Sequence, residues 1–595
     1  MASLKIRNVQ CALYKAQVLH LMTVLFILIF ANLSFAVCNG EASHFIPAVV
    51  EEGGGLVGIH VKAVPGIGEV YITTFPHTGV VTQQSIDNAV AYVFSKVNQP
   101  FSECNILVSI DGNIAEYVDG PSAGIALSVL TYAAVENQPI RNDATVTGSV
   151  DKSGNVGRVG GLYEKARAIS KDHIKYFLTP QHTLHERVLL SHIKQISNIE
   201  IIEIDNADEA IDFMVFNKSI EKKLLVAPDR SLPNIPFYDS SDLQDFRNIT
   251  LDLIDLENTE VNKIPENDQD IKEIKDLFLN EINRQQKLVE KGYTFSAAND
   301  AFLDYIDAST VVDVSNPDAV DLKKKYVSIK ACLDSLPNNK KTDNDFEWLI
   351  GSDLRKAWAV QKIDSLDING KQLAEEKYFL YNELMYGDAW CKISGLLAKN
   401  GLRLEGGKEI DETAWKLITQ KKILDAQKLN ITSEDLLNHF ETAKLLFNQG
   451  KYGAAAFDTT FVLSMYESEK DLSSSSSSLL VTSNINRLKN TKRLSLWGKI
   501  YQTQGVFLTE NGDSDQLSAY KLLKYAEDLD KLADELRGSV KLAPLNSMSA
   551  SDSSKSKDIN SFIQPSKKQE SQNINCLPGY IFLFVITILH FKKQK

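Results

Sequence analysis

The sequence predicts an α/β (α+β) domain followed by a mainly α-helical region, with a membrane segment at each end. Three observations carry this. Across residues 45–228 short β-branched runs alternate with amphipathic stretches, and from residue 237 to 537 apolar residues recur at helical spacing. Each end of the chain holds an apolar run flanked by basic residues. With 595 residues, 44% of them hydrophobic, the chain has enough material for two or three cores. Its 64 basic residues against 77 acidic ones leave a net charge of −13, which excludes neutralisation of a phosphate backbone as the main activity and so argues against nucleic acid as a partner. Six cysteines with no CxxC and no Cys/His cluster exclude a zinc ribbon and a disulfide-dense scaffold, leaving room for one or two disulfides.

The elements follow in chain order. Residues 1–36 carry Lys5, Arg7 and Lys15 and then an apolar run from residue 21 to 35, the order of a signal peptide or an N-terminal anchor. Cys38 stands where a lipidated cysteine would, although Val37 precedes it in place of a small residue. In the α/β part, Leu56-Val57-Gly58-Ile59-His60-Val61 and Glu69-Val70-Tyr71-Ile72-Thr73 read as strands and residues 86–97 as an amphipathic helix. Ile106-Leu107-Val108-Ser109-Ile110 is a third strand, and residues 125–134 continue as a helix. Thr145-Val146-Thr147-Gly148-Ser149-Val150 reads as one further strand, residues 151–154 as a hairpin turn and 156–159 as its return. Gly160-Gly161-Leu162-Tyr163-Glu164-Lys165 opens another helix.

Pro228, Pro233 and Pro236 mark the boundary to the helical part, where Ile271, Ile274, Leu277, Phe278 and Ile282 set the new period. Lys291-Gly292-Tyr293 leading to Ala297, Ala298 and Phe302 recurs loosely as Gln449-Gly450-Lys451-Tyr452 leading to Ala455, Ala456 and Phe461. This predicts helical hairpins packed side by side, distantly like tetratricopeptide repeats but without a fixed period. The serine run 473–478 is expected to break them as an exposed loop. Residues 538–575, with ten serines and two prolines, read as a flexible stalk. Residues 576–595 hold an apolar run and then Lys592, Lys593 and Lys595. As a helix that run spans roughly 22 Å against a hydrocarbon core of ~30 Å, a marginal span that snorkelling lysines extend. The positive-inside rule puts both basic ends in the cytoplasm and the body outside, as a cell-membrane protein with one C-terminal span. Asn217, Asn248 and Asn430 open glycosylation triplets, in keeping with that side.

Chemistry concentrates in the α/β part. Asp119-Gly120-Pro121-Ser122-Ala123-Gly124 precedes a helix, which places Ser122 in its first turn, near backbone N–H groups and the positive end of the dipole that stabilise an oxyanion. Gly120 and Gly124 allow close approach of a substrate backbone. Alone, the segment is also a plain turn and cap. Together with Thr147-Gly148, Gly160-Gly161-Leu162-x-Glu164-Lys165, the 43-residue step from Ser122 to Lys165 and the segment Thr78-Gly79-Val80-Val81-Thr82-Gln83-Gln84-Ser85-Ile86, it resembles the proteolytic domain of the Lon family.

The resemblance implies a serine–lysine dyad: Ser122 as nucleophile, Lys165 as general base, Thr147 as a hydroxyl orienting the lysine, and Asp119 with Gly120 shaping the oxyanion hole. A lysine takes a proton only when neutral, which asks for a pKa lowered by about 2–3 units. The small or apolar Gly160, Gly161, Leu162, Ala166 and Ile169 are surroundings that desolvate an ammonium. Val108 and Ile110 stand where many Lon proteases carry histidines, and no Gly-x-x-x-x-Gly-Lys-Ser/Thr occurs, so no ATPase is recognised. The chain thus resembles a stand-alone, exported, archaeal-type relative of Lon, and its Leu577-Pro578-Gly579 end resembles archaeal surface-sorting tags. Peptides or unfolded proteins are the implied substrates, the family's rings imply a homo-oligomer, and no cofactor is required. His182, His185 and Glu186, with His192, match no zinc-protease order and read as a solvated helix without a metal. The alternative is a cell-surface interaction protein with an idle Lon-like domain and a partner-binding helical region.

Overall fold

The computed structural model describes residues 38–539 apart from 51–52, 112–116, 173, 222, 224–231, 234–242, 267, 339, 371–372, 475–477 and 510–515. The terminal apolar runs and nearly all of the serine-rich stalk lie outside the described residues. Among the described residues no helix is long and apolar enough to cross a membrane. The chain divides into two compact units between Leu224 and Leu225.

The first unit is built on a long antiparallel hairpin, β1 (Gly40–Val50) and β2 (Gly53–Pro65), in register from Gly40 opposite Ala63 to Val50 opposite Gly53. Two more strands complete a sheet of order β1-β2-β5-β3, with β3 (Val70–Ile72) parallel to β5 (Cys104–Ile110). Ala42, Ile46, Ile59, Val61, Ala63, Ile106 and Val108 alternate along these strands and are all buried, the period-2 pattern of a sheet with one face on the core. A disulfide between Cys38 and Cys104 ties the start of β1 to the start of β5, so the sulfur that a lipidated Cys38 would need is engaged in the core.

β4 (His77–Thr78) pairs with β6 (Tyr117–Val118), and α1 (Val80–Lys96) runs between them, six residues longer at its start than the expected helix. α2 (Gly124–Val135) is buried on nearly every side, which suits its almost unbroken apolar sequence. The expected strand over residues 145–150 is two strands in different sheets. β7 (Ala144–Val146) joins the parallel sheet β11-β10-β7, with β10 (Tyr176–Thr179) and β11 (Glu200–Glu203), whereas β8 (Ser149–Val150) pairs with β9 (Val156–Gly157). The break falls at Gly148, whose φ of +152° belongs to a region open to glycine. α3 (Leu162–Ile169), α4 (Leu184–Ile196) and α5 (Ala207–Met214) complete the unit. Gly40 and Gly54 let two of these helices reach the hairpin, because a Cβ at Gly40 would collide with the Ala134 carbonyl of α2 and one at Gly54 with the Glu164 carbonyl of α3.

The second unit is helical. It comprises α6 (Gln244–Val261), α7 (Gln269–Glu290), α8 (Thr294–Val314), α9 (Leu322–Ser335), α10 (Phe346–Asp364) and α11 (Leu373–Arg403). It continues with α12 (Glu412–Gln427), α13 (Glu434–Asn448), α14 (Tyr452–Ser474), α15 (Ser478–Asn490), α16 (Leu496–Thr509) and α17 (Gln516–Arg537). The repeated Gly-containing segments join α7 to α8 and α13 to α14 through the same turn. Tyr293 N–H reaches the Leu288 carbonyl and Gly292 N–H that of Val289, and Lys451 and Gly450 do the same with Leu446 and Phe447. Gly292 and Gly450 both have positive φ, completing a Schellman turn. The serine run is helix at both ends: Ser474 closes α14 and Ser478 opens α15. A second disulfide, Cys332 to Cys391, links α9 to α11.

Glu257 of α6 is fully buried. Burial, and then the charges of Asp304, Asp300 and Glu281, push its pKa up to about 10. Between the usual glutamate range and that value the unfolded chain gives up a proton that the folded chain keeps. Stability from this group is therefore complete in mild acid and falls as pH rises, by at most about 1.4 kcal/mol per pH unit. Urea midpoints from pH 5 to pH 9 should fall less in Glu257→Gln than in the unaltered protein; equal slopes would remove this assignment.

Candidate active site

α2 begins at Gly124 with Ala123 at its cap position, so Ser122 lies just ahead of the helix and not within its first turn. The reason is a competing set of hydrogen bonds. Gly124 N–H turns back to the Pro121 carbonyl (3.1 Å) and Ile125 N–H goes to the Gly148 carbonyl (3.0 Å), while Leu127 N–H bonds to the Ala123 carbonyl (2.8 Å) as a helical turn. The carbonyl of Ser122 accepts from Gly148 N–H at 3.0 Å and from the Thr147 hydroxyl at 3.2 Å. Ser122 is half-buried and held from behind by the break between β7 and β8.

Thr147 is fully buried, and its N–H extends the β7 ladder to the Leu178 carbonyl. Its hydroxyl thus fixes the backbone of the serine. Asp119 Oδ1 accepts from Thr82 N–H and Gly120 N–H, both at 3.0 Å. Gly120, at φ +139°, has open space where a Cβ would stand. Thr82 and Ser85, in the segment 78–86 that precedes and opens α1, brace the same loop. The Thr82 hydroxyl donates to the Gly120 carbonyl and the Ser85 hydroxyl to that of Pro121, both at 3.2 Å. The signal was present as two hydroxyl residues three apart, and both are buried in the first turns of α1. Gly79 is required beside them, since a Cβ there would strike the Asp119 carboxylate.

Lys165 lies in α3 and is only 1% exposed. Gly161, at φ +67°, turns the backbone at the start of α3, and the Lys165 ammonium folds back to donate to the Gly160 carbonyl at 2.9 Å. Lys165 is thus a buried lysine whose amine bonds to the backbone just ahead of its own helix. Ser122 and Lys165 accordingly sit near the starts of two helices that both pack against the β1–β2 hairpin. Val108 and Ile110 are buried on β5.

The histidine segment is not a solvated helix. His182 precedes Thr183, the capping residue of α4, and its nearly buried ring lies 3.1 Å from Glu203 and 2.7 Å from the Thr179 hydroxyl. Burial lowers the pKa of His185, and Glu186 closes the capping box with Thr183. Burial works to raise the pKa of Glu186, but Arg158, His185, the Thr183 N–H and His182 together lower it below the usual range. The segment caps a helix and anchors it to β11. Among the described residues no group of three or more His, Cys, Asp or Glu side chains is arranged to hold a metal ion.

The family model of the Lon protease (S16) C-terminal proteolytic domain matches residues 46–217. This unit is a Lon-family proteolytic domain. The Lon protease of Neorickettsia sennetsu is 30% identical over 188 residues, 31% of this chain and 22% of that protein. Lon protease 1 of Syntrophobacter fumaroxidans is 29% identical over 192 residues, again 31% and 22%. Lon protease 2 of Bacillus subtilis is 30% identical over 139 residues, 23% of this chain and 24% of that protein. The chain thus spans about a fifth to a quarter of the length of these relatives, and the helical unit lies outside the match.

The weak point of this arrangement is Gly148, which donates to Ser122 and accepts from Ile125. A Cβ there would press on Ile125 and Val156 at 3.1 Å, at a φ that side chains avoid. Gly148→Ala should cost about 1–3 kcal/mol in stability. It should also lower peptidase activity measured on the fraction that remains folded, and full specific activity at normal stability would contradict this role.

Proposed function

We propose that this chain is an exported, membrane-tethered, ATP-independent serine endopeptidase that cleaves peptides or unfolded proteins with a Ser122–Lys165 dyad. The observation that carries the reading is a lysine buried to 1% exposure in a domain that matches the Lon proteolytic family, at the motif position of the family's base. Ser122 Oγ attacks the scissile carbonyl while Lys165 Nζ takes the hydroxyl proton. The oxyanion that develops is stabilised by backbone N–H groups around the start of α2. Lys165 then gives the proton to the leaving amine, and in the second half-reaction takes one from the water that hydrolyses the acyl-enzyme. Thr147, Gly148, Thr82 and Ser85 keep the loop 119–122 in place for both steps.

Export is supported by the two disulfides, because such bonds persist in oxidising compartments. Tethering is supported by the apolar run 577–591 with its terminal lysines, and ATP-independence by the lack of a P-loop motif in the 595 residues. A homo-oligomer belongs to the same reading through the family resemblance.

Incubating the full chain with unfolded casein and an activated acyl peptide tests the dyad. Ser122→Ala and Lys165→Met should each lower cleavage by about a thousandfold or more, with a folded circular dichroism spectrum and an acyl-enzyme that only the unaltered protein accumulates. Unchanged cleavage in Ser122→Ala would sink the proposal. Reduction of the two disulfides should lower the melting temperature, each bond being worth about 2–4 kcal/mol; an unaltered melt after complete reduction would argue against their structural role.

A further inference from the structure

The helices α12 and α13 form the outer layer of part of the second unit. Their inner faces lie on α14: the Thr419 hydroxyl of α12 donates to the Tyr452 carbonyl at 2.9 Å, and His439 of α13 pairs with Asp458 at 2.7 Å. On α12 the buried set is Trp415, Thr419, Ile423 and Ala426, one stripe at helical spacing. The opposite stripe of a helix that packs this way is normally polar. Here it carries Leu417, 71% exposed, and Leu424, 50% exposed, with exposed Lys416, Lys421 and Lys428 around them. α13 repeats the pattern with Leu437 and Leu445, 41% and 42% exposed. Among the described side chains Asp425 is met by Lys428 and Glu441 by Lys444, and Lys416 and Lys421 add further positive charge in a chain of net charge −13.

The path of the chain names the occupant. At the end of the unit the Leu536 carbonyl accepts from the Trp415 indole at 2.9 Å, and the Ser539 carbonyl accepts from the N–H of Asp411, the cap of α12, at 3.3 Å. The residues that continue toward the apolar run 577–591 therefore leave from the first turn of the helix that bears the exposed leucines and lysines.

We infer that the outer face of the α12–α13 hairpin docks on an anionic lipid surface, the leucines entering the headgroup region and Lys416 and Lys421 meeting its negative charge. This rests on the reading of the C-terminal run as a membrane anchor. Leucines flanked by lysines on one helix face are the pattern of a helix that lies in an interface, and the charge contribution is lost at high salt.

The test uses the full chain incorporated into vesicles of phosphatidylcholine, with or without phosphatidylserine, and reads lysine acylation by mass spectrometry. Acylation of Lys416 and Lys421 should fall by about threefold or more in the anionic vesicles and recover in high salt, while that of the exposed Lys152 stays constant. Leu417→Ser with Leu424→Ser should restore labelling without releasing the chain from the vesicles. Incorporation without any lipid-dependent protection would overturn the docking and leave the anchor reading standing; failure to incorporate at all would overturn both. Protection that grows with protein concentration in lipid of either kind would assign the face to a second copy of the chain instead, and overturn the inference.

Discussion

The geometry around Ser122 depends on one carbonyl. Ser122 C=O receives the Gly148 N–H and the Thr147 hydroxyl, and in return the Gly148 carbonyl receives the N–H of Ile125. These bonds lock the end of β7 to the beginning of α2, so the strand cannot run on past Val146 and the helix cannot begin before Gly124. The constraint lies in the donors, since each N–H has one hydrogen: the N–H groups of Gly148 and Ile125 are used at this junction and serve neither a longer strand nor an earlier helical turn. The serine is left on a short turn braced by β7 on one side and α2 on the other.

The loop ahead of it is braced from a second direction. Asp119 bonds Thr82 and Gly120 through one oxygen, and the Thr82 and Ser85 hydroxyls hold the carbonyls of Gly120 and Pro121. Small residues make this possible: Gly79 clears the Asp119 carboxylate, and Gly40 and Gly54 bring α2 and α3 onto the same hairpin. The buried Lys165 completes the pattern, since its burial depends on the αL turn at Gly161 that lets the amine reach back to Gly160. Its long stem is packed like an apolar residue, with the amine bonded to the backbone.

The second unit obeys simpler rules. Two Schellman turns close its α7–α8 and α13–α14 hairpins at Gly292 and Gly450, and inward aromatic residues such as Trp415 and Trp497 bond their indole N–H to the carbonyls of Leu536 and Glu347. Its departures from an ordinary helical core are a protonated carboxyl group fully buried near other acids at Glu257 and leucines turned outward on α12 and α13.

Much of this was legible in the sequence because it is local. Periodicity separated the α/β part from the helical part, and the glycine-containing turns announced the hairpins. The motif set around Ser122 and Lys165 marked the candidate site, because a cap, a glycine and a proline act within a few residues. What the sequence could not settle is long-range. The strand over residues 145–150 is β-forming throughout, and only the bonds from Thr147 and Gly148 to Ser122, some 25 residues away, divide it. Ser122 fell outside the helix for the same reason. His182 left the solvent because Glu203, on a neighbouring strand, was there to receive it. The burial of Lys165 and the support from Thr82 and Ser85 likewise depend on which elements pack together. Local propensity therefore determined the elements and the residue types of the site, whereas tertiary hydrogen bonding decided where those elements end and which side chains lose their water.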